Sequence, residues 1–119
     1  MAAPNIVNVS TIYGKTVGTS LTTTASVFLQ NNTSSGLVYK LNTIMVSNVN
    51  GTNNADITIE FLRGGVTYDL ASTITVPADA SIVILSKENP IYLEEGDAIR
   101  TQASVNSYLQ AICSYEELS

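Results

Sequence analysis

Histidine and tryptophan are absent from this chain, cysteine occurs once, and charged residues make up only 13% of it. Without histidine, a serine or cysteine nucleophile lacks its usual base, and a Cys-His zinc site cannot form. Without tryptophan, the strongest aromatic platform for a sugar is missing. The single Cys113 allows no internal disulfide and reads as a small buried hydrophobe. Five Lys and Arg stand against ten Asp and Glu, for a formal net charge of -5. The cations do not cluster, so neither nucleic acid nor an anionic membrane surface finds a match. No apolar run approaches the roughly 20 residues that span a bilayer. The start "MAAPNIVNVS" carries neither a basic segment nor an apolar signal core, so synthesis in a cytoplasm is expected. Gly64-Gly65 is followed by no helical pattern, which removes a phosphate loop. These absences argue against an enzyme and leave no cofactor and no metal to expect.

What is present points to strands. The 119 residues fit one domain, 1–119, with enough length to bury about two thirds of the surface its unfolded form exposes. Hydrophobic residues reach 45%, and most of the polar surface must come from Ser, Thr and Asn. The period of the apolar residues is two almost everywhere. In "ADITIEFL" Ile57, Ile59 and Phe61 share one face, and after Gly64-Gly65 the set Val66, Tyr68, Leu70 resumes the alternation, which predicts a hairpin. "TASVFLQN", "LVYKLNTIMVSNV", "STITVPA", "SIVILSK", "PIYLEE", "AIRTQASV" and "YLQAICSY" are also rich in β-branched and aromatic residues, and turn-forming residues bound each of them. The expected fold is all-β: about eight to ten short strands in an antiparallel β-sandwich, with the jelly roll as one form of it.

Two polar stretches, "NNTSSG" (31–36) and "NVNGTNNAD" (48–56), are expected to project from the ends of the sandwich as loops. The second resembles an oxygen-ligand calcium loop at Asn50, Asn53 and Asp56, but it lacks the dense carboxylates of such loops. In "YLEEGDAIR", Glu94, Glu95 and Asp97 surround Gly96. Neighbouring carboxylates can share a proton or hold a cation. A strand ending at Leu93, a tight turn through Glu95-Gly96-Asp97 and a strand restarting at Ala98 account for the same residues. The glycine supplies positive φ, and the aspartate caps backbone N–H groups. A hairpin turn is expected there, with no catalytic residue and no metal ligand. Lys15, Lys40 and Lys87 lie beside polar loop signals and should be exposed, which argues against a Lys-Asn isopeptide link.

Three stretches carry a resemblance: "MAAPNIVNVSTIYGKT", then "VSNVNGTNNADITIEFLRGG" with "LASTITVPADASIVILSKENPIYLEEGDAIR", and finally "CSYEELS". Together they resemble the small virion structural proteins of tailed bacteriophages, particularly those infecting marine cyanobacteria. The resemblance implies a part of the phage particle: a capsid decoration (cement) protein, or a component of tail, neck, baseplate or fibre. The low charge density and the apolar amino-terminal segment predict a homo-oligomer, for which the resemblance implies a trimer first, with partners among virion proteins such as the major capsid protein. The resemblance transfers no functional residue. The rival from another class is a carbohydrate-binding or host-receptor module, using the two loops with Tyr39, Tyr68 or Tyr92 as stacking faces.

The amino-terminal 24 residues hold the candidate assembly surface: Ile6, Val7, Val9, Ile12 and Tyr13 offer apolar area close to the chain start. Such a segment is tied either to its own sheet as an edge strand or to a neighbouring subunit as an arm.

Overall fold

The computed structural model describes residues 10–119, which form nine β-strands and no helix. In chain order these are β1 (Ile12–Ser20), β2 (Ser26–Gln30), β3 (Val38–Asn48), β4 (Ala55–Arg63), β5 (Val66–Val76), β6 (Ser81–Leu85), β7 (Ile91–Leu93), β8 (Ala98–Ala103) and β9 (Leu109–Leu118). One sheet runs β1-β9-β3-β6, with the short β7 also paired to β3; the other runs β2-β8-β4-β5. Every pairing is antiparallel. The sheets enclose one hydrophobic cluster, the sandwich that the period-two pattern predicts.

Alternation in the sequence becomes alternation of burial. In β4, Ala55, Ile57 and Ile59 are buried while Asp56, Thr58 and Glu60 turn outward. β3 needs one irregularity to achieve the same. Leu41 and Ile44 are three residues apart and would fall on opposite faces of a regular strand, yet both are fully buried. Asn42 is the extra residue: the register with β9 shifts between Leu41 and Thr43, and this bulge returns both side chains to the core. Opposite them lie Ile57, Ile59 and Ile99 of the other sheet.

The predicted hairpin is present. Arg63 pairs with Val66, and Gly64 and Gly65 both have positive φ (60° and 79°), the backbone of a two-residue turn that continues the strand twist. β4 and β5 are the one pair of successive strands joined this way among the described residues. The strands expected at "Val66–Leu70" and "STITVPA" form a single eleven-residue β5. Two register shifts against β4 and a φ of 50° at Thr73 bend it without ending its pairing. Elsewhere the chain mostly changes sheet from one strand to the next. No helix among the described residues is long and apolar enough to cross a membrane.

Candidate functional site

The acidic stretch after β7 lies where the chain crosses from one sheet to the other. The Asp97 N–H donates to the Glu94 carbonyl (3.0 Å) and Gly96 has φ 91°, which makes the tight turn expected there. The turn is a corner and not a hairpin: β7 pairs with β3, whereas β8 pairs with β2 and β4. A three-residue β7 offers β8 no partner length, so the chain crosses the sandwich. Asp97 is buried at this corner, with an exposure of 3%. Its carboxylate accepts from Arg63 Nε (3.0 and 3.1 Å), from Arg63 Nη2 (2.6 Å) and from the Glu94 backbone N–H (2.8 Å). Arg63 Nη2 also reaches Glu94 Oε2 at 2.6 Å, and its guanidinium sits 5.0 Å from the centre of the Phe61 ring.

Three connections meet at this corner. Glu95 Oε2 accepts the Gly36 N–H (3.0 Å), the Gly96 N–H donates to the Asn31 carbonyl (2.7 Å), and the Asn31 N–H donates to the Asp97 carbonyl (3.0 Å). The hydrogen bond to Asp97 holds the Arg63 guanidinium above its ordinary pKa. An open depression of about 490 Å³ lies beside Arg63, Gly64 and Glu94 to Asp97. Its charged groups are already engaged, Arg63 with Glu94 and Asp97, and Glu95 with the Gly36 N–H. Asp97 has spent its lone pairs on the arginine and a backbone N–H, and no group of three acids among the described residues could hold a metal ion. The arrangement does mechanical work: it ties the β4–β5 hairpin tip to the sheet-crossing corner and to the β2–β3 loop.

The two polar loops are anchored inward more than the sequence suggests. Asn31 and Asn48, expected to project, are both buried. Asn31 Nδ2 donates to the carbonyls of Leu37 (2.8 Å) and Leu93 (2.9 Å), and its Oδ1 accepts the Ser35 hydroxyl (2.5 Å). Asn48 repeats the scheme: Nδ2 donates to the carbonyls of Asn53 and Val76 (3.0 Å each), and Oδ1 accepts the Asn50 N–H (2.9 Å). Each asparagine stands two residues after an apolar run, behind Gln30 or Ser47, where the period of two places it on the same face as Leu29 or Val46, and that is the one signal that could have found it. Asn50 Oδ1 takes the N–H groups of Thr52 and Asn53, so this oxygen of the calcium-like loop is engaged in a turn. Tyr39 cannot serve as a stacking face: it is 8% exposed and packs against Tyr115 at 5.1 Å between ring centres. Tyr68 and Tyr92 do face solvent.

Of the candidate assembly residues, Ile6, Val7 and Val9 lie outside the described residues. Ile12 and Tyr13 open β1 and are 56% and 61% exposed. β1 pairs with β9 along its whole length, from Ile12 opposite Leu118 to Ser20 opposite Gln110, as an edge strand of its own sheet. Lys15 is exposed and bonds Glu117 at 3.0 Å, which raises its pKa. Lys40, expected to be exposed, is half-buried in β3 with Glu116 at 4.0 Å; pairing on both sides, with Tyr92 of β7 and Glu116 of β9, overrides the nearby loop signal. Cys113 is buried as expected, and burial pushes its thiol up to about 12.

No protein-family model and no curated protein matches the chain. Among solved structures it is similar to a subunit of Bacillus endospore appendages, described as a novel family of disulfide-linked pili. That likeness has 17% identity, covers 92% of this chain and 87% of the other, and has a TM-score of 0.54. It is a likeness of fold. Two structures of a pentameric capsid protein from metagenomic phage sequences match at 13% and 16% identity, covering 98% of this chain and 64% and 66% of theirs. Their TM-scores are 0.42 and 0.43.

Proposed function

We propose that this chain is a non-enzymatic structural subunit that works by adhesion, to copies of itself and to other proteins of a particle. The observation that carries this reading is the surface. Ile12, Tyr13, Val27, Val83 and Ile112 stand exposed on strands whose other outward residues are mostly Ser, Thr, Gln and Gly. Apolar and neutral polar groups lose little on burial against a neighbour, and charge depletion marks the centres of interfaces. The strand orders β1-β9-β3-β6 and β2-β8-β4-β5 favour the jelly roll among β-sandwiches. Residues 1–119 are one folding unit in this reading, with the amino-terminal 24 divided between the segment before Ser10 and the edge strand β1.

The particle is a phage virion, as the sequence resemblance implies, and the role is a decoration (cement) subunit stabilising the head beside the major capsid protein. A tail, neck, baseplate or fibre part is the nearest variant. The appendage subunit that shares the fold belongs to disulfide-linked pili. Here the one cysteine is buried, so subunits would adhere without covalent links. Immunogold labelling of particles tests the proposal: gold on heads is the expected result, gold on tails moves the subunit there, and particles lacking the protein overturn the structural role.

A further inference from the structure

Among the described residues, five strands form the lateral edges of the two sheets, and four of them are blunted against pairing: β7, beside β6 on β3, has only three residues. β2 and β6 have five residues each and a register irregularity, and β5 carries two register shifts and the positive φ of Thr73. Short strands and bulges are the usual protection of an open edge. β1 has neither. Its nine residues hold an unbroken register with β9, contain no proline, and carry one charge, Lys15, which Glu117 takes up at 3.0 Å.

The hydrogen-bond phase of β1 follows from its two ends. Thr11 and Ser119 exchange both backbone bonds (3.0 and 2.9 Å), and the Leu21 N–H donates to the Leu109 carbonyl (2.9 Å). Because bonded and non-bonded pairs alternate in an antiparallel ladder, Tyr13, Lys15, Val17 and Thr19 spend their backbone groups on β9. Ile12, Gly14, Thr16, Gly18 and Ser20 then direct theirs to the open side, where no strand among the described residues lies. These five positions are symmetric about Thr16. Turned through a two-fold axis at Thr16, a second copy of β1 meets the first with every open-side residue opposite another: Thr16 on Thr16, Gly14 on Gly18, Ile12 on Ser20.

We propose that β1 is the joint of a homodimer, an antiparallel β1–β1 pair centred on Thr16 that fuses the β1-β9-β3-β6 sheets of two copies. The pairing forms about ten backbone bonds across the joint. Its self-complementarity is what an isologous two-fold contact requires. Paired glycines on either side of the central threonines separate the Thr16 pair from the Ile12–Ser20 pairs and reduce crowding on the outer face of the joint; a Cβ at Gly14 would meet no atom within 4 Å. Lys15 faces Val17 of the second copy and not the other lysine, and Glu117 already neutralises it. The inference rests on the self-association proposed above, and it yields a dimer where the virion resemblance implies a trimer.

Thr16→Pro in the full chain tests it. The Thr16 N–H points away from β9, so proline there removes no backbone bond of the monomer, only the exposed Thr16 Oγ1–Ser114 Oγ hydrogen bond (3.3 Å), while blocking the joint. Val17→Pro deletes a bond to β9 and serves as the unfolding control. Sedimentation velocity should find the wild-type chain dimeric and Thr16→Pro monomeric, with a circular dichroism melt within a few degrees of wild type. Thr16→Cys should form a disulfide-linked dimer under mild oxidation, since bonded antiparallel partners sit about 5.5 Å apart at Cα. The buried Cys113 does not compete. A wild-type monomer at the highest soluble concentration, a trimer, or a dimer that survives Thr16→Pro overturns the joint. A dimer lost only with Ile6→Asp, Val7→Asp and Val9→Asp together also overturns it, in favour of an arm. A monomer that still decorates particles leaves the structural role standing without the joint; a β1-linked dimer missing from particles does the reverse.

Discussion

At the scale of single residues, Asp97 keeps a carboxylate away from water because a bidentate arginine and a backbone N–H converge on it. Asp97→Ala should cost about 1–3 kcal/mol by chemical denaturation, since it removes the charge-assisted bonds to Arg63 and leaves the Glu94 N–H without its acceptor, while the half-exposed guanidinium keeps Glu94 and solvent. Glu94 binds the same arginine from an exposed position, and an exposed pair contributes little. Glu94→Gln with Glu95→Gln should therefore shift stability by under about 1 kcal/mol per site, with no response to calcium or EDTA. A calcium-dependent rise in melting temperature, lost in that double variant, would make the corner a cation site after all. Gly96→Val should destabilise by about 1–3 kcal/mol, because a β-branched residue is strained at φ 91°. A melt like that of wild type would show that the corner can re-form with another backbone.

Among the elements, β3 and β9 carry three groups whose protons burial makes hard to remove, Tyr39, Cys113 and Tyr115, and in the first two the shift is large. Burial pushes the Cys113 thiol up to about 12, and burial followed by the neighbouring Glu117 charge pushes the Tyr39 hydroxyl up to about 12. Both folded-state values exceed the unfolded ones, so their contribution to stability is complete below the ordinary thiol and phenol values of 9.0 and 10.0. It is lost as pH rises from there towards about 12. The urea midpoint should be flat through neutral pH and fall above about 9, with a later onset in Cys113→Ala. An early fall near neutrality would assign the titration to other groups. The strands themselves were legible in the sequence because period two is a local property, as in "ADITIEFL". The corner at Glu94 to Asp97 was legible only as a turn. That it joins different sheets depends on which strand β7 pairs with, and that partner, β3, lies some 50 residues upstream. The burial of Asn31 and Asn48 was hidden likewise, because the carbonyls they satisfy belong partly to Leu93 and Val76 in distant strands.

For the whole molecule, scarcity of charge sets how it should associate. A contact made by backbone bonds and neutral side chains is barely screened, so the dimer population should stay constant as sodium chloride is raised well above physiological strength. Dissociation by salt would instead point to an ionic contact. The order of strands has a further consequence, for the time at which a subunit becomes usable. β9 lies between β1 and β3 and is the only described strand that joins β1 to the rest of its sheet. Until the ribosome has made β9, the emerging chain has no partner to hold β1 flat, and pairings this distant close slowly. β9, made after all the other described strands, therefore brings β1 into register, and each subunit gains a straight outer edge only after its own interior has closed.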